Sequence, residues 1–337
     1  MTSDGQPGAY VLGVDSGGSG LRVALGTAEA DAPSETAECG GPVRTGPRGI
    51  DAAHLLEQVL PAVRGLLDGL GDGGARITAA AIGAAGMATL GDELRAELPG
   101  ALADALGVRR IALAADAVTA YAGAVGQRPG AVVAAGTGLI ALGTDLTAWR
   151  RADGWGHLLG DSGGGAWIGR AGLDAAMRAL DGRRGGSPAL LDRLEAVFGP
   201  PQELPGLLYP RADRPALLAS FAPEVAACAD HDPVAEGILR AAAVHIAEAA
   251  AAVCPESEAD EEAYEVALTG GLFRMGEPLL VPLREELAEL LPGTRAVPGS
   301  GDPLIGALRI AQALATGGLR LPHHPTLLRV PAPAPRP

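Results

Sequence analysis

Apolar and polar positions along the chain first mark out two matching hairpins. In YVLGVDSGGSGLRVALG, Tyr10 to Gly26, an apolar strand runs into Asp15, turns through Gly17, Gly18 and Gly20, and leaves as a second strand. The pattern returns in AVVAAGTGLIALG, Ala131 to Gly143, where Gly136, Thr137 and Gly138 separate two apolar strands. Such self-similarity predicts a duplicated fold whose halves face each other. After the first hairpin a polar stretch with Pro33, Pro42 and Pro47 reads as loop. Asp51 to Leu70 then has helical spacing, with a kink or break predicted at Pro61. A buried strand over Arg76 to Gly86, an amphipathic helix over Glu93 to Leu106 and an apolar run from Arg110 into Asp116 follow.

Beyond the second hairpin, Arg151 to Arg170 holds seven glycines in 20 residues and reads as an irregular loop. Helix is expected from Ala171 to Leu180, then a proline-punctuated connection from Phe198 to Pro223. Asp232 with Pro233 opens a long helix to about Val253, and Asp302 with Pro303 opens a closing helix. Between these lie an acidic loop, Pro255 to Glu265, and a strand entering Gly270 and Gly271. From Pro322 the chain is proline-rich and expected to be disordered.

The hairpin turns carry candidate chemistry. Glycines beside a hydroxyl residue let backbone N–H groups approach an anion without hindrance from Cβ. Asp15 would repel a bare phosphate, so its place beside such a turn makes sense with a divalent cation between them; the alternative is an ordinary hairpin with a solvated Asp. All 26 basic residues are arginine, which excludes a Walker lysine, the strand lysine of protein kinases and Schiff-base chemistry. A dinucleotide-binding G-x-G-x-x-G would open a helix, whereas strand alternation continues past both turns.

Composition narrows the class further. At 337 residues, 47% hydrophobic and only 3% aromatic, the chain has room for two domains packed through aliphatic side chains. A formal charge of −14 argues against nucleic acid or a membrane surface as partner. The segment Ala241 to Val253 contains His245 and Glu248 and is too short to span a bilayer. No secretory leader is read at the start, and Cys39, Cys228 and Cys254 show no paired spacing, so a reducing cytoplasm is expected.

Asp116 stands where strand gives way to helix, as either a helix N-cap or a general base at the carboxyl end of a strand. Trp155, His157, Asp161 and Trp167 in the glycine-rich loop suit a polyhydroxyl ligand or, alternatively, a self-packed structural loop. Gly270 and Gly271 offer flat backbone for an adenine or ribose, or simply a strand-to-helix turn.

In order and spacing GWGHLLGDSGGGAWIGR, Gly154 to Arg170, resembles the signature G-W-G-x-x-x-G-D-E-G-S-x-Y-W-I. With DSGGSG, AAD at Ala114 to Asp116, AAGTG, TGGLF and GDPLIGA in order around it, the chain resembles an N-acetylglucosamine kinase-type (BadF/BadG/BcrA/BcrD ATPase-like) sugar kinase of the actin-like ATPase superfamily. The resemblance covers about Tyr10 to Leu319. It implies an α/β protein of two actin-like (ribonuclease H-like) lobes, 9–125 and 126–302, with ATP and Mg2+ in a cleft between them. The helix about 303–320 would pack back on the first lobe, and 322–337 would form a tail.

By the same resemblance Asp15 would hold magnesium through water, and Gly17, Gly18 and Ser19 would line the β- and γ-phosphates. Gly136, Thr137 and Gly138 would form a second phosphate loop, and Gly270 with Gly271 would flank adenosine. Asp116 would be the base for a sugar 6-hydroxyl, with Arg44, Trp155, Gly156, His157 and Asp161 as further sugar contacts. The implied substrate is N-acetylglucosamine or glucosamine and the implied assembly a homodimer. Three positions depart from the family pattern: Ser162 in place of glutamate, Leu139 in place of serine, and Arg44 where relatives place asparagine. Arg44 leaves open an N-acetylmuramic acid-type kinase. Two other readings are an ATP-driven activator of a partner enzyme and a sugar sensor without catalysis.

Overall fold

The computed structural model describes residues 8–17, 20–30, 32–41, 43–46, 49–71, 74–256 and 264–332. Gly18 and Ser19 of the first glycine turn, and residues 257–263 of the acidic loop, lie outside them. The chain divides into two compact units, Met1–Pro129 with Thr144–Trp149 and Gly299–Pro337, and Gly130–Gly143 with Arg150–Pro298.

The first unit is built on a six-stranded sheet in the order Leu328–Arg329, Arg110–Ala115, Arg76–Ala84, Ala9–Gly17, Gly20–Thr27, Glu35–Cys39. Ala9–Gly17 pairs antiparallel with Gly20–Thr27 as the expected hairpin and parallel with Arg76–Ala84, which in turn pairs parallel with Arg110–Ala115. Strands central to a parallel array are buried on both faces and read as continuous apolar runs. Accordingly Val11, Leu12, Val14, Ile82 and Leu113 are all buried.

The second unit repeats the arrangement. Its five-stranded sheet has the order Trp149–Asp153, Leu139–Thr144, Gly130–Ala135, Glu265–Thr269, Arg295–Pro298. In both sheets the first strand is central, its two sequential neighbours lie on one side, and later parallel strands lie on the other. The duplication read from the glycine turns is therefore a duplication of topology. Among the described residues Tyr121 and Phe221 are the only aromatics in the set of largest fully buried side chains, and leucines dominate the rest.

Helix ends follow local chemistry. Asp232 accepts from the N–H of Val234 and Asp302 from that of Ile305, each followed by proline in the first turn. Gly317 closes Pro303–Thr316 in the left-handed conformation that favours glycine. Small residues let this helix lie tightly on Asp116–Ala124: a Cβ built on Gly306 would collide with the carbonyl oxygen of Thr119.

Five expectations are corrected. The polar stretch read as loop after the first hairpin holds the strand Glu35–Cys39, paired antiparallel with Gly20–Thr27. Helix Ala52–Gly69 runs through Pro61 without a break. Pro61 and Glu57 are both on the exposed face, so the carbonyl freed by the missing N–H remains with solvent. The glycine-rich stretch is irregular only in its middle, because Trp149–Asp153 is strand and Gly165–Leu180 is helix. The proline-punctuated connection holds short helices, Leu204–Leu208, Arg214–Ala219 and Ala222–Cys228, with a proline in each first turn. Finally, the chain after Pro322 is docked through Arg329: Leu327 and Leu328 are buried, and Leu328–Arg329 pairs with Arg110–Ala115. Residues 333–337 lie outside the described part. Among the described residues no helix is long and apolar enough to cross a membrane.

Candidate active site

In the first unit, sheet register places the candidate carboxylates. Asp15 pairs with Gly83, and Gly83 with Ala114, so the three lie in one row across the sheet. Asp116 is two residues beyond Ala114. Both carboxylates thus sit at the carboxyl edge where α/β sheets present their ligands, two strand spacings or about 10 Å apart along the row.

Asp116 is the first residue of helix Asp116–Ala124, and Ala115 is the N-cap, which corrects the N-cap reading. Its Oδ1 accepts from the N–H of Ala117 at 2.9 Å, and its carbonyl oxygen accepts from Thr119 Oγ1 at 2.9 Å. A negative charge in a first helical turn is favoured by the dipole.

Asp15 is buried, and Arg22, directly opposite it across the hairpin, donates to its Oδ2 at 2.6 Å. The same guanidinium donates to Asp302 Oδ2 at 2.6 Å. Burial lifts the Asp15 carboxyl above its ordinary value although Arg22 pulls it down. Asp302 ends below its ordinary value, because the N–H of Ile305 and Arg22 outweigh its burial.

These residues fit a magnesium ion. Asp15 Oδ1 has no hydrogen-bond partner among the described residues. One open carboxylate oxygen suits Mg2+, which keeps its waters and binds through one or two carboxylates plus substrate phosphates. Gly17 closes the hairpin opposite Gly20, while Gly18 and Ser19 lie outside the described residues. Arg44 is exposed. Its N–H donates to His54 and its carbonyl accepts from Asp51, so none of its described hydrogen bonds reaches another candidate.

In the second unit the Gly136-Thr137-Gly138 turn sits on the start of helix Gly165–Leu180. Gly165 N–H donates to Gly136 O at 2.9 Å and Ala166 N–H to Thr137 O at 2.8 Å. Gly136 and Thr137 are exposed. Beside the turn, Gly270 has φ +105, and a Cβ on it would collide with Ala135 O. The structure therefore brings Gly270 against the phosphate-loop candidate, and Gly271 begins the short 3-10 turn Gly271–Met275.

The middle of the glycine-rich stretch folds over this turn. Asp161 has φ 55, and a Cβ on Gly138 would collide with its Oδ2. Asp161 Oδ1 accepts from Gly156 N–H at 3.0 Å. Asp153, also left-handed at φ 60, accepts from the N–H of Asp161 at 2.5 Å and of Ser162 at 2.9 Å. Burial raises the Asp161 carboxyl, opposed by the Gly156 N–H and reinforced by the charge of Asp153. Trp155 is 61% exposed, with the Arg151 guanidinium 4.3 Å from its ring centre, and His157 is half-buried in the same loop. Trp167 departs from expectation: it lies in the helix, edge-on to His245 at 5.1 Å.

Sequence reasoning missed Arg22, Asp153 and Arg151. Arg22 was findable, since a tight hairpin places it opposite Asp15. The others become visible only once the loop is folded. A cavity of about 500 Å3 lined by Arg109, Arg110, Leu314, Thr316 and Val330 lies at the other edge of the sheet, away from every candidate.

The BadF/BadG/BcrA/BcrD ATPase family matches residues 12–311. A candidate N-acetylglucosamine kinase from Chromobacterium violaceum is similar at 30% identity and TM-score 0.70, over 92% of this chain and 100% of that one. Two others share the fold. One is a candidate N-acetylglucosamine kinase from Porphyromonas gingivalis, at 16% identity and TM-score 0.64, over 91% of this chain and 99% of that one. The second is a ROK family glucokinase from Streptomyces griseus, solved with glucose and AMPPNP, at 19% identity and TM-score 0.51, over 90% and 98%. No curated protein matches the sequence.

Proposed function

The chain belongs to the BadF/BadG/BcrA/BcrD ATPase family, and on that premise we propose that it is an ATP-dependent sugar kinase acting on the 6-hydroxyl of N-acetylglucosamine or glucosamine. The observation that carries the reading is the placing of Asp116 and Asp15 at one sheet edge, Asp116 two residues beyond the register row that holds Asp15. This gives one carboxylate for proton transfer and a separate one for the nucleotide's cation.

Asp116 accepts the proton of the 6-hydroxyl as that oxygen attacks the γ-phosphorus; the new O–P bond forms while the bond to the β-phosphate bridging oxygen breaks. Asp15 would hold magnesium through water, and the ion would offset phosphate charge. Gly136 and Thr137 are exposed in a turn where no bulky side chain would keep a phosphate away. Gly270 leaves the neighbouring edge flat enough for adenosine. Trp155, with one face against Arg151, and Asp161 suit a polyhydroxyl ring. The candidate kinase from Chromobacterium violaceum, similar along its whole length, supports the amino-sugar class. Cys39, Cys228 and Cys254 are each buried, which speaks against an activator built around a shared cysteine-bound cluster.

A coupled ADP-release assay over a panel of amino sugars tests this. Saturable stimulation by N-acetylglucosamine or glucosamine is expected, and turnover that no sugar raises would overturn the assignment.

A further inference from the structure

Arg22 has no place in the expected set, yet it ties together distant parts of the chain in the first unit. One guanidinium nitrogen meets Asp15 at the hairpin and another meets Asp302, 280 positions later, each at 2.6 Å. Asp302 is also the N-cap of helix Pro303–Thr316. A planar fork of this kind fixes both partners in direction as well as in charge.

We infer that Arg22 is the positioning residue of Asp15: it occupies Oδ2, leaves Oδ1 for a hydrated cation, and keeps the charge at the hairpin low enough that a divalent ion enters with the nucleotide rather than alone. This rests on the kinase reading only for the role of Asp15. Two carboxylates against one guanidinium leave the trio with a single net negative charge. Arg22→Gln leaves two negative charges, and Asp302→Asn leaves none. A divalent cation therefore gains attraction in the first variant and loses it in the second.

The directions separate this role from a merely structural latch. Either substitution breaks the Arg22–Asp302 pair, so a latch would move both variants the same way. Asparagine is also a good N-cap, so Asp302→Asn retains the start of the helix.

The test is Mn2+ binding to the full chain without nucleotide, read from loss of the free-ion electron paramagnetic resonance signal, with circular dichroism confirming the fold. Arg22→Gln should bind Mn2+ on the order of tenfold more tightly than the parent protein and Asp302→Asn several-fold more weakly, while Arg22→Lys stays near the parent. Shifts in the same direction, or none beyond twofold, would overturn the inference. Should Arg22→Gln fail to fold, Asp302→Asn and Arg22→Lys decide it: weakening in the first with little change in the second supports the role, and any other pair of results overturns it. Sugar-dependent ADP release by the parent protein, measured alongside, fails or succeeds independently of these shifts and so isolates a failure of the kinase reading.

Discussion

Gly306 lies against the backbone of Thr119, so close that a Cβ on Gly306 would overlap the Thr119 carbonyl oxygen. That contact seats the closing helix on the helix that begins with Asp116. Gly306→Ala must push the two helices apart, and overpacking of this kind costs about 3 kcal/mol. Chemical denaturation should show a loss of that order; a loss below about 0.5 kcal/mol would mean that the helices are not held at this distance.

Asp161 is held as a partly buried carboxylate next to Asp153. Its folded carboxyl titrates above the ordinary value, so the folded state gains stability as pH falls through that range and gives it up as pH rises again. Asparagine carries no charge, tolerates the left-handed backbone and can still accept from Gly156. Asp161→Asn should therefore be the more stable protein at pH 7, with the difference shrinking toward pH 4. The same variant should lose saturation by sugar. Equal stability of the two proteins at every pH would contradict the burial argument.

Asp145 gives the opposite sign. Hydrogen bonds from Thr147, through side chain and backbone, and from Ala148 lower its carboxyl to about 2. Its contribution is complete above the ordinary aspartate value and is lost as pH falls from about 4 toward about 2. A carboxyl carbon NMR titration should place the midpoint near the lower end of that window. A midpoint at the ordinary value would show that the turn is not closed by these bonds.

Gly270→Ala should damage the nucleotide edge. Its φ of +105 and its contact with Ala135 O both exclude a side chain, so a cost of about 2 to 4 kcal/mol is expected. Weaker binding of an ATP analogue by titration calorimetry should accompany it. Unchanged affinity in a folded variant would remove Gly270 from the adenosine site.

Much of this arrangement was legible in the sequence because it depends on local rules. Strand alternation around two glycine turns announced both hairpins, and the Asp-Pro pairs at 232 and 302 announced two helix starts. Register then set Asp15 and Asp116 at the same sheet edge, one strand between them, which apolar runs ending in aspartate foreshadowed. Long-range choices were hidden. Nothing local says that Leu328 and Arg329 will add a strand beside Arg110–Ala115, since proline-rich flanks mask a two-residue pairing. Likewise the partners of Asp153 follow from a left-handed turn that no propensity favours strongly. Pro61 does not break its helix, because its cost depends on which helix face it occupies.

The central claim is that Asp116 takes the proton while phosphate moves to a sugar oxygen. Phosphorus NMR of the products formed from ATP and N-acetylglucosamine or glucosamine, with parent protein and Asp116→Asn, tests it most directly. A sugar 6-phosphate is expected with the parent and a rate about 10²- to 10⁴-fold lower with the variant, at undiminished affinity for an ATP analogue. Free phosphate as the only product, or a sugar phosphate formed equally fast by Asp116→Asn, would contradict it.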